Sequence, residues 1–457
     1  MSRPPADAGM TLIEVVVALL VFAIIASGIV AGMTTIARMT SDDRARVIAA
    51  NLASEQTDLT RAIGDPFKLV GATTTRSFPT PNGGARVFTI KRTVSWVSSG
   101  GADVSCGGSA NLFFMRVNVR VTWQGQLPTT APVQTDTVLA PAGRIVDPTT
   151  GAIAISVVGA DGRPVSGVAV SIVPTAGGAG LSSQPPATNV DGCAYATKVA
   201  PGTYAVTISA TGYLDVSQDP SPTKSVVVTA GTTQAVAFQY DQAATYPVTY
   251  ARNYVPTVPA LAAQLPTDLD TTFITPSGGF YTVTSPAATV RLHPFSPNYS
   301  AVAGALGTSS GATTCAVVDP SAWPAATQAG TKLAAGVRAA PQYAPPGGTA
   351  GAFGLPMGVV LVNATAAGYL KAVQTDPGPG VTGEPQCTTK ATYLFGQVLA
   401  AGTVAIALPF GTWTLYTGTA TAQTTAIDGP NLSVPTNVLS DDVTSAGVVT
   451  LDPRAAG

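Results

Sequence analysis

The chain has 457 residues, of which only 10% are charged, with 47 Gly and 37 Pro and a formal net charge of -1. That length exceeds what one hydrophobic core usually spans, which points to roughly two to four domains. Gly, Pro, Thr, Val and Ser in this proportion favour short strands and turns over long amphipathic helices, and a near-zero charge without any basic stripe excludes nucleic acid as the main partner.

Residues 1–9 are short and polar, carry Arg3 and Asp7, and end in Gly9. After Gly9 the only charge before Arg38 is Glu14. Val15 to Ala37 is apolar apart from Ser27, Gly28, Gly32, Thr34 and Thr35, long enough to cross the hydrocarbon core of a bilayer. A secretory signal would put its positive charge before the apolar run and a small-residue cut after it; here the small residue comes first, so the apolar run survives processing. A carboxylate at membrane depth costs several kcal/mol unless neutralised or paired, which makes Glu14 a functional candidate. A cut between Gly9 and Met10 would create the matching cation, the Met10 α-amino group, in the same chain or in a neighbouring subunit.

These residues resemble the class III signal of type IV prepilins and pseudopilins, with Gly9 before the cut, Met10 first in the mature chain and Glu14 fifth. The resemblance implies leader removal by a prepilin peptidase, N-methylation of Met10, and one long helix that sits in the membrane as a monomer and in a filament core after assembly. The sequence departs from the pattern in having one positive leader residue, an Asp7, and no helix proline, so that any kink falls to Gly28 and Gly32. Gly28 and Gly32 also make a small-xxx-small patch for helix packing. From Arg38 to Ile63 the expected helix is amphipathic, with Val47, Ile48, Leu52, Leu59 and Ile63 toward a head and Asp42, Asp43, Arg44, Arg46, Glu55, Asp58 and Arg61 outward. Gly64-Asp65-Pro66 ends it.

Residues 86–96 and Phe113 to Trp123 alternate as half-buried strands, the second with Met115, Val117, Val119 and Val121 on one face. The Val121-Thr122-Trp123-Gln124-Gly125 ending is similar to the sheet of minor pilins and pseudopilins. After Asp147-Pro148 the turns at Asp161-Gly162, Asp191-Gly192 and Pro201-Gly202-Thr203-Tyr204 resemble a carboxypeptidase regulatory-like, or prealbumin-like, β-sandwich, an accessory module without catalytic residues of its own. Further on, Gly411-Thr412-Trp413 echoes Gly202-Thr203-Tyr204, which suggests a second sandwich with strands over 358–363, 392–399, 403–408, 412–416 and 448–451. The Gly-, Ala- and Pro-rich stretch 305–350 reads as long loops.

Cys106, Cys193, Cys315 and Cys387 are too widely spaced for a zinc or redox pair. Two disulfides are expected, and sequence permits three connectivities. Cys315 with Cys387 is favoured because both lie in the C-terminal region, leaving Cys106 with Cys193; free buried thiols are the alternative. His293, the single histidine, reads as structural. Gly307-Thr308-Ser309-Ser310-Gly311 lacks the strand-turn-helix context of a hydrolase elbow and reads as a loop. Asp161 and Asp191 suit tight turns better than calcium. No metal site, cofactor or catalytic cluster is expected, and the chain reads as a non-enzyme.

The expected fold is α+β: a long N-terminal membrane/filament helix, then a mainly-β head made of a pilin-like antiparallel sheet and one or two Ig/prealbumin-like β-sandwiches. Its divisions are a leader (1–9), a helix (10–63, membrane part 10–37), a pilin-like head (64–145), a regulatory-like sandwich (146–245) and a C-terminal β-rich region (246–457). The expected function is a minor pilin or pseudopilin-like subunit of a type IV pilus or related secretion filament, with a tip or adhesive position favoured because a large head packs poorly in every subunit of a thin shaft. The expected partners are the prepilin peptidase, other pilin or pseudopilin subunits, membrane lipid and a surface ligand of the head. The location is a single-pass membrane with an extracytoplasmic head, displayed on the cell surface or pilus after assembly. The alternative is a monomeric anchored surface binding protein with no filament role.

Overall fold

The computed structural model describes residues 12–80, 83–98, 103–104, 106, 112–139, 148–306, 317–328, 330–376, 383–385, 387–436 and 443–454. Contacts divide the chain into two units, one of residues 1–156, 166–206 and 224–237 and the other of residues 157–165, 207–223 and 238–457.

The first unit begins with α1 (Leu12–Ile63), a single 52-residue helix with Glu14 in its first turn and Arg61 in its last. Charges in those places oppose the helix dipole and favour the helix at both ends. Gly64 follows at φ +67°, the left-handed position that stops a helix, and Asp65 caps a short 3-10 turn over Pro66–Lys68 by accepting from the Phe67 N–H. The next elements are β1 (Ala72–Pro79), β2 (Ala85–Ser98), β3 (Asp103–Val104), β4 (Leu112–Trp123) and β5 (Val133–Leu139). They form one antiparallel sheet ordered β1-β2-β4-β5, with β3 paired to β2. The β2/β4 register sets Ile90 opposite Val121, Val94 opposite Val117 and Trp96 opposite Met115. The period-2 pleat therefore puts one apolar face against α1, where Met115, Val117, Val119 and Val121 are buried as their alternation requires.

Continuing along the chain come β6 (Gly151–Val158), β7 (Ala169–Ala176), β8 (Cys193–Val199), β9 (Gly202–Ser209), β10 (Tyr213–Asp215), β11 (Thr223–Val228) and β12 (Thr233–Gln242). They make a four-stranded sheet, β10-β12-β6-β8, and a three-stranded one, β11-β9-β7. The Gly202 turn has a steric cause, since at φ +152° a Cβ there would lie 2.4 Å from Gly178. Two residues on, buried Tyr204 donates from its hydroxyl to the Ala200 carbonyl at 2.8 Å, four residues upstream.

In the second unit, Ala244–Tyr250 pairs antiparallel with Thr289–Leu292 and parallel with Phe353–Leu355. Thr271–Ile274 is flanked by Phe280–Val283 and Ser300–Ala303. Gly358–Ala364 lies between Gly402–Leu408 and Leu432–Ser433. Gly368–Gln374 joins Thr392–Leu399 to Gly411–Gly418, which also pairs with Gln423–Ala426 and Val448–Leu451. The echo between the two glycine turns is structural. Gly411 has φ +136°, and the buried Trp413 indole N–H reaches the Pro409 carbonyl at 2.9 Å, again four residues upstream. An aromatic tied back to its own turn closes the strand entry in both places.

One expectation is corrected here. The described part of 305–350 holds a short antiparallel pair, Ala326–Gln328 with Thr331–Leu333, and is packed rather than loose, because Val317, Trp323, Leu333 and Ala344 are all buried. Trp323 packs with Val318 and Cys387, and the Arg454 guanidinium lies 5.1 Å from its ring centre. Arg454 also donates to the Pro324 carbonyl and forms a fully buried ion pair with Asp452, so the last described residues clamp this segment.

Candidate functional site: the N-terminal helix and its seat on the head

The lower half of α1 is apolar and outward-facing in the single chain. Leu12, Ile13, Phe22, Ile25, Ile29, Met33 and Ile36 are all exposed, and the helix is long and apolar enough to cross a membrane. Four hydroxyls that would be costly in hydrocarbon are satisfied within the helix. Ser27 and Thr34 donate to the carbonyls of Ile24 and Ala31, three residues back, and Thr35 and Thr40 to those of Ala31 and Ile36, four back, all at 2.8–2.9 Å. Gly28 and Gly32 are exposed, and a Cβ at either would meet nothing within 4 Å. Among the described residues nothing requires glycine at either position. Gly9 and Met10 lie outside the described residues, whereas Glu14 lies in the first helical turn.

The upper half corrects the expected helix face. Its buried residues are Asp42, Ala45, Ala49, Leu52, Ala53, Thr57 and Thr60, while Val47, Leu59 and Ile63 are exposed. Of the residues expected inward only Leu52 is buried, with Ile48 half-buried at the edge. The cause is close packing. Three alanines let the helix approach the face of β4 and β5, where a branched side chain would hold it off. Asp42, expected outside, is 6% exposed, and its two carboxylate oxygens accept from the Trp123 indole N–H at 2.7 Å and the Thr130 hydroxyl at 2.6 Å. Thr57 meets Thr135 at 3.2 Å, and at the rim Arg76 donates twice to Glu55 at 2.8 Å. The helix is thus fixed to its sheet by small residues inside and charge-assisted hydrogen bonds around them.

The same unit ties residues 189–199 to the sheet. Cys106 and Cys193 are bridged, with Cα atoms 5.3 Å apart and a sequence separation of 87. The Trp96 indole donates to the Tyr195 hydroxyl at 2.9 Å, and Phe67 packs on both rings. Burial pushes the Tyr195 hydroxyl well above the usual tyrosine range. Asp191 serves structure, its carboxylate accepting from the Gly71 N–H at 2.9 Å. Cys387 is also in a disulfide, and Cys315, its expected partner, lies outside the described residues.

Catalytic geometry is not assembled among the described residues. No three of His, Cys, Asp and Glu stand together to hold a metal. His293 is fully buried, its ring Nδ1 2.9 Å from the Leu214 carbonyl and its backbone N–H on Gln218, and burial lowers its pKa. Asp161 turns onto the Arg163 N–H, and Gly307 to Gly311 lies outside the described residues. Sequence reading missed Asp42, Trp123 and Thr130 as a group. The available signal was an acid one turn past the apolar span, with alanines at 45, 49 and 53 behind it.

Two family descriptions match stretches of this sequence. The prokaryotic N-terminal methylation motif covers residues 5–30, and the carboxypeptidase regulatory-like domain covers residues 143–241. No curated protein matches. Among solved structures, the Bacillus anthracis TIE protein is 12% identical over 77% of this chain and 71% of its own, with a TM-score of 0.19. The minor pilin GBS52 of Streptococcus agalactiae is 16% identical over 38% and 71%, with a TM-score of 0.17. The major pilin subunit BcpA of Bacillus cereus is 11% identical over 59% and 88%, with a TM-score of 0.18. Scores this low fall short of a shared fold. The chain therefore carries a prepilin-type methylation motif on one long apolar helix, followed by a mainly-β head that contains a carboxypeptidase regulatory-like domain.

Proposed function

We propose that this chain is a minor pilin or pseudopilin-like structural subunit of a type IV pilus or related secretion filament, cut by a prepilin peptidase between Gly9 and Met10 and methylated on Met10. The observation that carries the reading is the match of residues 5–30 to the methylation motif on a helix that is outward-facing and apolar below Arg38 and seated on a β-sheet above it. One rod then serves two environments, with lipid or neighbouring helices around its lower half and its own head around the upper. Glu14 stands in the first helical turn at the start of the apolar run, and in this reading it pairs with the Met10 amine of the same chain or of an adjacent subunit, the latter pairing setting the stagger between subunits. The β-rich units that follow the sheet make a large head, which favours a tip or adhesive position over the repeating shaft. Intact-mass and N-terminal peptide mass spectrometry on protein from native membrane and surface fractions tests this. The expected result is a mature chain that begins at methylated Met10. An intact leader would overturn the reading in favour of a permanently anchored surface binding protein.

A further inference from the structure

A groove of about 660 Å³ runs between α1 and the turn end of the β1–β2 hairpin. Its lining is divided by chemistry, with Thr40, Ser41, Arg44 and Arg86 giving donors and positive charge and Ile48 and Phe78 giving apolar wall. The Arg86 guanidinium is held in place across the groove, donating to the Ser41 carbonyl and hydroxyl, both at 2.9 Å. Arg44 stands one turn above Ser41 and is exposed. Of the two acids on this stretch of helix, Asp42 is buried with both oxygens on Trp123 and Thr130, which leaves Asp43 exposed among Arg38, Arg44, Arg46 and Arg86. The local balance is positive.

The groove starts at Ala37, the last residue of the apolar run. At about 1.5 Å per residue, Ser41 stands roughly 6 Å and Arg44 roughly 10 Å beyond that edge. A headgroup layer is roughly 5 to 8 Å deep on each side of the hydrocarbon core, so these residues fall within it or within an arginine's reach of it. We infer that this groove seats the headgroup of an anionic phospholipid, its phosphate on Arg44 and Arg86, its glycerol against Thr40 and Ser41, and its upper acyl carbons toward Ala37. The inference rests on the membrane-anchored reading of residues 12–37. Its consequence is that a membrane-held subunit has its head oriented on the bilayer by a specific lipid contact, and that leaving the membrane for a filament requires giving that lipid up.

The test is native mass spectrometry of the full chain released from nanodiscs made of equal parts phosphatidylglycerol and phosphatidylcholine. The wild-type chain is expected to retain phosphatidylglycerol in preference to phosphatidylcholine. Arg44→Gln, an exposed change, should lower phosphatidylglycerol retention about five-fold without moving the thermal transition. Arg120→Gln, on the outer face of β4, should leave it unchanged. Four results would overturn the assignment: equal retention by Arg44→Gln, equal loss in Arg120→Gln, displacement of the lipid by inorganic phosphate alone, or a change of oligomeric state in Arg44→Gln with lipid retention intact, which would give the groove to a second copy. Insertion is read separately by flotation with pure phosphatidylcholine vesicles. A chain that inserts but shows no lipid preference overturns the groove alone, whereas a chain that does not insert overturns the anchored reading with it.

Discussion

The two halves of α1 share one backbone and differ in almost everything else. Below Arg38 large apolar residues face outward, while above it the buried residues apart from Leu52 are small or polar, and Val47 and Leu59 are outside. Hydrophobicity and burial are thus uncoupled along a single rod. In the lower half apolar surface is offered to a surrounding that lies beyond this chain; in the upper half the contact is made by how closely two backbones can approach. What decides the fit there is side-chain size, with hydrogen-bond partners for whatever polar group is taken inside.

A buried acid in the second unit shows the same requirement for hydrogen-bond partners. Glu384 is 8% exposed and accepts from the Thr412 N–H at 2.9 Å and hydroxyl at 2.6 Å. Burial raises its pKa to about 7 from 4.5, the Thr412 hydrogen bonds and Lys390 oppose the rise, and Asp452 adds to it. The folded chain therefore holds this proton more tightly than the unfolded chain does. Stability from it is complete below about pH 4.5, falls as pH climbs toward 7, and levels off above that, a loss on the order of 3 kcal/mol. Urea unfolding of the full chain across this range should show the decline, and Glu384→Gln should flatten it. A decline that survives the substitution assigns it to other groups.

Within the helix, Ala49→Leu inserts a branched side chain where Ala49 is fully buried against the sheet, and should lower stability by up to about 3 kcal/mol in thermal unfolding. An unchanged melt would mean that the helix does not seat by close approach. Asp42→Ala leaves the Trp123 indole and the Thr130 hydroxyl without their acceptor and should cost about 2 kcal/mol. Tryptophan fluorescence would report the change at Trp123. Val47→Ala and Leu59→Ala, at exposed positions, should stay within about 0.5 kcal/mol. A larger loss from either would restore the face expected from amphipathicity.

How far the sequence could be read follows from the range of each signal. The span after Glu14, the helix stop at Gly64 and the alternation of Met115, Val117, Val119 and Val121 are local, carried by neighbouring residues, and they were legible. The echo of Gly202 in Gly411 was legible for the same reason, as a short turn with an aromatic two residues on. Asp42 was not, because its partners Trp123 and Thr130 lie more than 80 residues away and an acid on a helix reads as solvent-facing by default. The stretch around Trp323 reads as loose loop in sequence because its packing depends on Arg454, 130 residues downstream of the Pro324 carbonyl it binds. The expected helix face failed on a different ground, since ranking side chains by apolar size overlooks alanine as a contact residue.

The measurement that bears most directly on the divided helix is labelling of the full chain in vesicles with a photoreactive probe confined to the hydrocarbon phase, mapped by peptide mass spectrometry. The account predicts label on Phe22, Ile25, Ile29 and Met33 and none between Ala45 and Thr60. Label that continues through Val47 and Leu59, or that is missing below Arg38, would contradict it.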